Sequence, residues 1–203
     1  MTRLRILLDN GHGKETPGKR SPVWADGAQL FEHEFNRDIV QRIARMLAHR
    51  GVTFDIIVHE HSDVPLYQRA NRANHICSVN GAKNCLLVSV HANAGGGTGW
   101  EVWTSRGQTW ADDYAEIFFK HAAQAFPEFP MRADNTDGDS DKEADFAILK
   151  KTSCPAVLTE NFFMDTERDC RLLLSEEGRR RIARMHVEAI LECIEWHENQ
   201  TRR

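Results

Sequence analysis

Short apolar runs alternate with amphipathic, helix-length segments from one end of this chain to the other, and that alternation restricts the fold more than any other feature. Residues 4–9 read as a buried strand, followed by a tight turn at Gly11-His12-Gly13. In the stretch 34–50, Phe35, Ile39, Ile43, Met46 and Leu47 recur at helical spacing, and Gly51 supplies a stop. Further strands are expected at 53–59, 84–90, 100–104 and 156–159. The run 84–90 is apolar almost throughout, as a strand covered on both faces should be. Helices are expected at 66–79, behind the start signal Ser62-Asp63-Val64-Pro65, and at 110–126, 144–151, 166–174 and 177–197. This order argues for an α/β fold with a mostly parallel, doubly wound sheet. Two long loops interrupt it, 14–31 and 127–143, and loops of such length are usually functional or disordered. The second holds Asp134, Asp137, Asp139 and Asp141; it reads as a solvated surface loop or, more sharply, as a rim shaping substrate access.

At 203 residues, 41% hydrophobic and 28% charged, the chain suits one domain, read as residues 1–198 with a frayed tail at 199–203. The net charge of -4 argues against a nucleic-acid partner, and no apolar run approaches the roughly 20 residues of a membrane span. Cys77, Cys85, Cys154, Cys170 and Cys193 form no C-x-x-C pair, so they read as buried, reduced thiols rather than zinc ligands.

His12, Glu32, His91 and Glu160 stand out by position. His12 follows the first strand, His91 follows Cys85 to Val90, Glu160 ends Ala156 to Thr159, and Glu32 heads the first helix. Open α/β sheets bind ligands beyond the carboxyl ends of their strands, so these residues can converge. Two histidines and one carboxylate make the ligand set of a catalytic zinc site with an open fourth position, and the remaining carboxylate is a ready general base. Glu34 rivals Glu32, since an acidic residue in a first helical turn also suits the helix dipole. Ser89 alternates onto the same side as His91 and is placed to hydrogen-bond behind it; Asp9 is a candidate to orient the His12 ring. The other histidines, His186 and His197 among them, read as surface residues.

Five segments, in order, resemble the zinc-dependent N-acetylmuramoyl-L-alanine amidases of the type 3 family. They are Leu8-Asp9-Asn10-Gly11-His12-Gly13-Lys14, Glu32-His33-Glu34-Phe35-Asn36, Arg69-Ala70-Asn71-Arg72-Ala73-Asn74, Ser89-Val90-His91-Ala92-Asn93-Ala94 with Gly99-Trp100-Glu101-Val102, and Pro155-Ala156-Val157-Leu158-Thr159-Glu160. The resemblance selects Glu32 over Glu34. It implies one zinc ion per chain held by His12, Glu32 and His91, with Glu160 catalytic, and a six-stranded, phosphorylase/hydrolase-like sheet with helices on both faces. Asp9, Ser89, Asn93 and Asn161 are the candidates for support of the ligands or for substrate contact. Asn10 stands where the family has proline, Lys14 where it has a second glycine, and Asn161-Phe162-Phe163 where it commonly has Thr/Ser-Gly-Phe.

The implied reaction is hydrolysis of the amide between N-acetylmuramic acid and L-alanine of peptidoglycan. Two readings stay open beside it: a zinc amidase or peptidase for soluble muropeptides or other peptides, and a silent peptidoglycan-binding module. The expected state is a monomer. The first residues turn polar too soon for a signal peptide, so the expectation is synthesis in the cytoplasm and action at the cell wall or periplasm, by lysin-type release or with an export signal lost.

Overall fold

The first strand, β1 (Arg5–Asn10), buries both of its faces: Ile6 and Leu8 enter one hydrophobic cluster and Leu7 another. A continuous apolar run is what such a position requires. The computed structural model describes residues 4–136 and 138–202, so Asp137, residues 1–3 of the expected domain and residue 203 of the expected tail lie outside the described residues. The remaining strands are β2 (Phe54–Ile56), β3 (Cys85–Asn93), β4 (Trp100–Thr104), β5 (Lys142–Glu143) and β6 (Ala156–Phe163). Among the described residues they form one six-stranded sheet in the order β2-β1-β3-β6-β4-β5. Every neighbouring pair is parallel except β4 and β6.

Helices cover both faces. On one lie α1 (Glu32–His49), α3 (Trp110–Ala125), α5 (Glu167–Leu174) and α6 (Glu176–Thr201), whose apolar stripes meet Ile6, Val88 and Val157. On the other lie α2 (Leu66–Asn80) and α4 (Ala147–Lys151), against Leu7, Leu87 and Leu158. Among the described residues no helix is long and apolar enough to cross a membrane. All five cysteines are buried and free.

Several expected boundaries move, for local reasons. The strand expected over 53–59 stops at Ile56, because the next carbonyls find side chains instead of a ladder: Arg72 donates to Ile57 O at 3.0 Å and Asn10 to Val58 O at 3.2 Å. Conversely, β3 and β6 run past His91 and Glu160, since the far part of β6 pairs with β4, Trp100 opposite Asn161. Strand β5 takes residues 142–143 from the loop, and the helix expected from 144 begins only at Ala147. Asn199 to Thr201, expected to be frayed, continue α6, with Thr201 Oγ1 donating to His197 O at 3.0 Å. The acidic loop is not wholly solvated either: Asp141 is buried, accepts from Thr104 Oγ1 at 2.6 Å, and burial pushes its carboxyl up to about 7.

Candidate active site

The turn after β1 delivers His12 at a φ of 63°, a left-handed conformation uncommon outside glycine and costly to hold. Its flanking glycines serve close approach. A Cβ on Gly11 would lie 2.0 Å from the His91 ring, and one on Gly13 would lie 2.2 Å from the Asp63 backbone. Two arginines hold the turn. Arg69, buried, donates to Asp9 Oδ1 at 2.8 Å, Asn10 O at 2.7 Å and His12 O at 3.0 Å. Arg37 adds a bond to the same His12 carbonyl at 3.1 Å.

Asp9 therefore does not orient the His12 ring: its partners are Arg69 and Ser89, whose Oγ donates to Asp9 Oδ2 at 2.6 Å. Ser89, expected behind His91, acts instead through Asp9 on the His12 turn. Neither arginine's role was legible in the sequence; the Arg69 stretch resembled a family motif but carried no chemistry by itself.

Glu32 opens α1 and is completely buried. Its Oε1 lies 3.3 Å from His12 Nε2 and 3.2 Å from His91 Nδ1. The Ala92 amide also donates to this oxygen, at 3.3 Å. All three side-chain ligand atoms lie within 4.8 Å of one another. A tetrahedral ion with bonds of about 2.0–2.1 Å holds its ligand atoms roughly 3.3 Å apart, which the two Glu32–histidine distances match. His12 Nε2 and Glu32 Oε2 are buried without a hydrogen-bond partner, an arrangement a cation relieves. Burial opposes ionisation of Glu32, but the His12 and His91 rings outweigh it and hold the carboxyl well below the usual carboxylate range. Burial lowers His12; for His91 burial is outweighed by Glu32 and Glu160, and the ring is raised. Glu34 makes no part of this cluster and is two-thirds exposed, at 66%. Lys19, from the loop 14–31, reaches within 3.7 Å of Glu32 Oε2.

Glu160 stands beside His91 across the β3–β6 ladder. Its Oε2 is buried and without a hydrogen-bond partner, and burial pushes its pKa up to about 8. Immediately after it the register shifts, the mark of a β-bulge, and Phe162 adopts a φ of 64° where the family pattern has glycine. Phe126 and Phe129 pack on that ring at centroid distances of 4.9 and 4.7 Å. Asn161 points inward, its Nδ2 donating to His91 O at 2.9 Å and its Oδ1 accepting from Trp100 at 3.0 Å, so it supports a ligand strand rather than touching substrate. Asn93 donates to Glu101 Oε1 at 2.7 Å. The histidines expected at the surface include His33, His186 and His197, and all three are buried.

Comparison with known proteins gives the family and the fold. The family model described as N-acetylmuramoyl-L-alanine amidase matches residues 6–192. An N-acetylmuramoyl-L-alanine amidase of Bacillus licheniformis is 30% identical over 97% of this chain and 71% of its own length. An endolysin of Bacillus phage SPP1 is 31% identical over 96% of this chain and 67% of its own. The crystal structure of an N-acetylmuramoyl-L-alanine amidase from Clostridium difficile 630 shares the fold with a TM-score of 0.76 at 23% identity, covering 95% of this chain and 97% of that one. The chain belongs to the N-acetylmuramoyl-L-alanine amidase family.

Proposed function

We propose that this chain cleaves the amide between N-acetylmuramic acid and the L-alanine of the peptidoglycan stem peptide using one zinc ion held by His12, Glu32 and His91, with Glu160 as the catalytic carboxylate. The observation that carries the reading is the convergence of two ring nitrogens and one carboxylate oxygen beside Glu160, whose buried Oε2 has no hydrogen-bond partner. Two nitrogens and one oxygen suit zinc, and a set of three leaves one position open, as in catalytic rather than structural sites. Bound there, zinc would lower the pKa of a water towards ~7 and polarise the scissile carbonyl.

The rest belongs to the chain. Glu160 takes the proton of the water that attacks the lactyl carbonyl and returns it to the departing amine of L-alanine. Burial raises the proton affinity of Glu160 above the ordinary carboxylate range, which suits a group that alternates between base and acid. Arg69 and Arg37, by gripping His12 O, keep the first ligand aimed. Asn161 ties the His91 backbone to β6, so ligand and base keep a fixed separation. The chain works alone, and its place of action is the wall or periplasm, where the substrate lies.

The test is mass spectrometry of products from whole peptidoglycan, with and without a chelator. Chelator-sensitive release of stem peptides beginning at L-alanine, with glycan chains intact and activity restored by zinc, is the expected result. Unaltered release in the presence of chelator would remove the metal from the reading, and cleavage elsewhere would remove the scissile bond.

A further inference from the structure

Beyond Glu160, on the side away from the metal ligands, lies a charged cluster that the chemistry above does not use. Glu101 is buried on β4, directly opposite Glu160 in the β4–β6 ladder, so His91, Glu160 and Glu101 form one row across three strands. Four groups engage its carboxylate. Arg132 Nε and Lys142 Nζ each donate to Oε2 at 2.7 Å, Asn93 Nδ2 to Oε1 at 2.7 Å and Trp103 Nε1 to Oε1 at 3.0 Å. One cation neutralises one carboxylate; two leave a surplus positive charge at the floor of the site.

Both cations are held in place. The Arg132 guanidinium lies 5.1 Å from the Phe163 ring centroid, and Lys142 Nζ lies 5.2 Å from that of Trp103. Residues 130–132 run beside β4, with Arg132 N donating to Trp100 O at 2.9 Å. Arg132 spends only Nε on Glu101; its side chain is 40% exposed, and its two terminal nitrogens make no hydrogen bond among the described residues. A guanidinium presenting two free N–H groups is a fork shaped for a carboxylate.

We propose that Arg132, with Lys142 behind it, forms a subsite for a free carboxylate on the stem peptide, the one carried by the residue after L-alanine. This rests on the amidase reading above. The direction follows from strand order. Glu160 protonates the departing amine, so the peptide leaves on the Glu160 side of the metal ligands, and the next strand on that side is β4. The reach agrees: adjacent strands are about 4.8 Å apart, and two residues of extended chain span at most about 7 Å. The acidic loop thus carries the two cations that read the substrate, which gives the expected rim a chemistry. Glu101 is a positioning residue, keeping both cations in place through its buried carboxylate.

The metal-loaded full chain should be assayed on two muropeptides identical except that the residue after L-alanine bears either a free carboxylate or a carboxamide, with whole peptidoglycan as reference. The acid should be preferred about tenfold or more in kcat/KM, chiefly through KM, as loss of a charge-assisted bond implies. Arg132→Gln and Lys142→Gln should each draw that preference towards unity, while Arg50→Gln, at the opposite end of α1, should leave it at the wild-type ratio. The ratio cancels general damage to the fold, because both substrates meet the same variant. An enzyme that releases stem peptides from whole peptidoglycan yet cleaves both muropeptides equally, or neither, would overturn the subsite and leave the amidase reading standing. Variants that keep the wild-type preference would overturn it too. No release from any substrate would remove the amidase reading itself.

Discussion

At the β1–β3 side of the site the groups that carry the ligands are held by many bonds, although His12 Nε2 and Glu32 Oε2 themselves have no hydrogen-bond partner. Two arginines share the His12 carbonyl, Asp9 joins Arg69 to Ser89, and one oxygen of Glu32 faces two rings and an amide. One strand away, Glu160 keeps a buried oxygen that nothing engages. The contrast separates two requirements. Ligands must be aimed before an ion arrives, and their aim is held by neighbours; a group that shuttles a proton must be left free of partners that would fix its charge. The side of the sheet that looks overbuilt is the one with a strained left-handed His12 to restrain.

The largest effect expected from breaking the engaged side is His12→Ala, which should lose both zinc and stem-peptide release, read by metal analysis beside the product assay. Retention of a full equivalent of zinc would exclude His12 as a ligand. Next comes the clamp. Arg69→Met strands the Asp9 carboxylate in the interior, and about 3–5 kcal/mol of stability to denaturant should go with it; a loss under about 1 kcal/mol would mean that the pair does little.

A third test reaches from α6 into the same strands. His186 is buried, with Nδ1 2.9 Å from Ile182 O and Nε2 2.9 Å from Thr159 Oγ1, and burial lowers its pKa to about 4. The folded state thus favours the neutral ring, so the associated stability is complete above the unfolded pKa of about 6.5 and declines as pH falls towards 4, by at most about 3 kcal/mol. The stability difference between wild type and His186→Gln, followed by denaturation over that window, should carry this slope; a flat difference would contradict it. The smallest effect concerns the bulge. Both Phe162→Ala and Phe162→Gly lose aromatic packing, but glycine accepts the positive φ, so the glycine variant should be the more stable by about 1 kcal/mol. The reverse order would show that Phe162 is not strained.

The parts of this molecule legible in the sequence are those that repeat or stand next to an apolar run. Apolar runs marked the central strands, and His12, Glu32 and His91 come together with Glu160 beside His91, although β3 and β6 run on past the last two. Polar partnerships were not legible, because a lone arginine or histidine looks solvated until its partner, distant in sequence, is known. Arg69 and Asp9 are 60 residues apart, and Arg132 and Glu101 are 31 apart. For His186 and His197 the sequence does carry a signal: both fall on the stripe of α6 that holds Ile182, Ile190 and Cys193. The short β5 had none, since two residues of pairing leave no periodicity to read.

The most direct test of the division between ligands and base is Glu160→Gln, assayed for zinc affinity by competition with a chromophoric chelator and for turnover on peptidoglycan. Zinc affinity should stay near wild type, while kcat falls by about 10²–10⁴, the contribution of a positioned acid–base group. Near-normal turnover, or loss of zinc together with activity, would contradict the role given to Glu160.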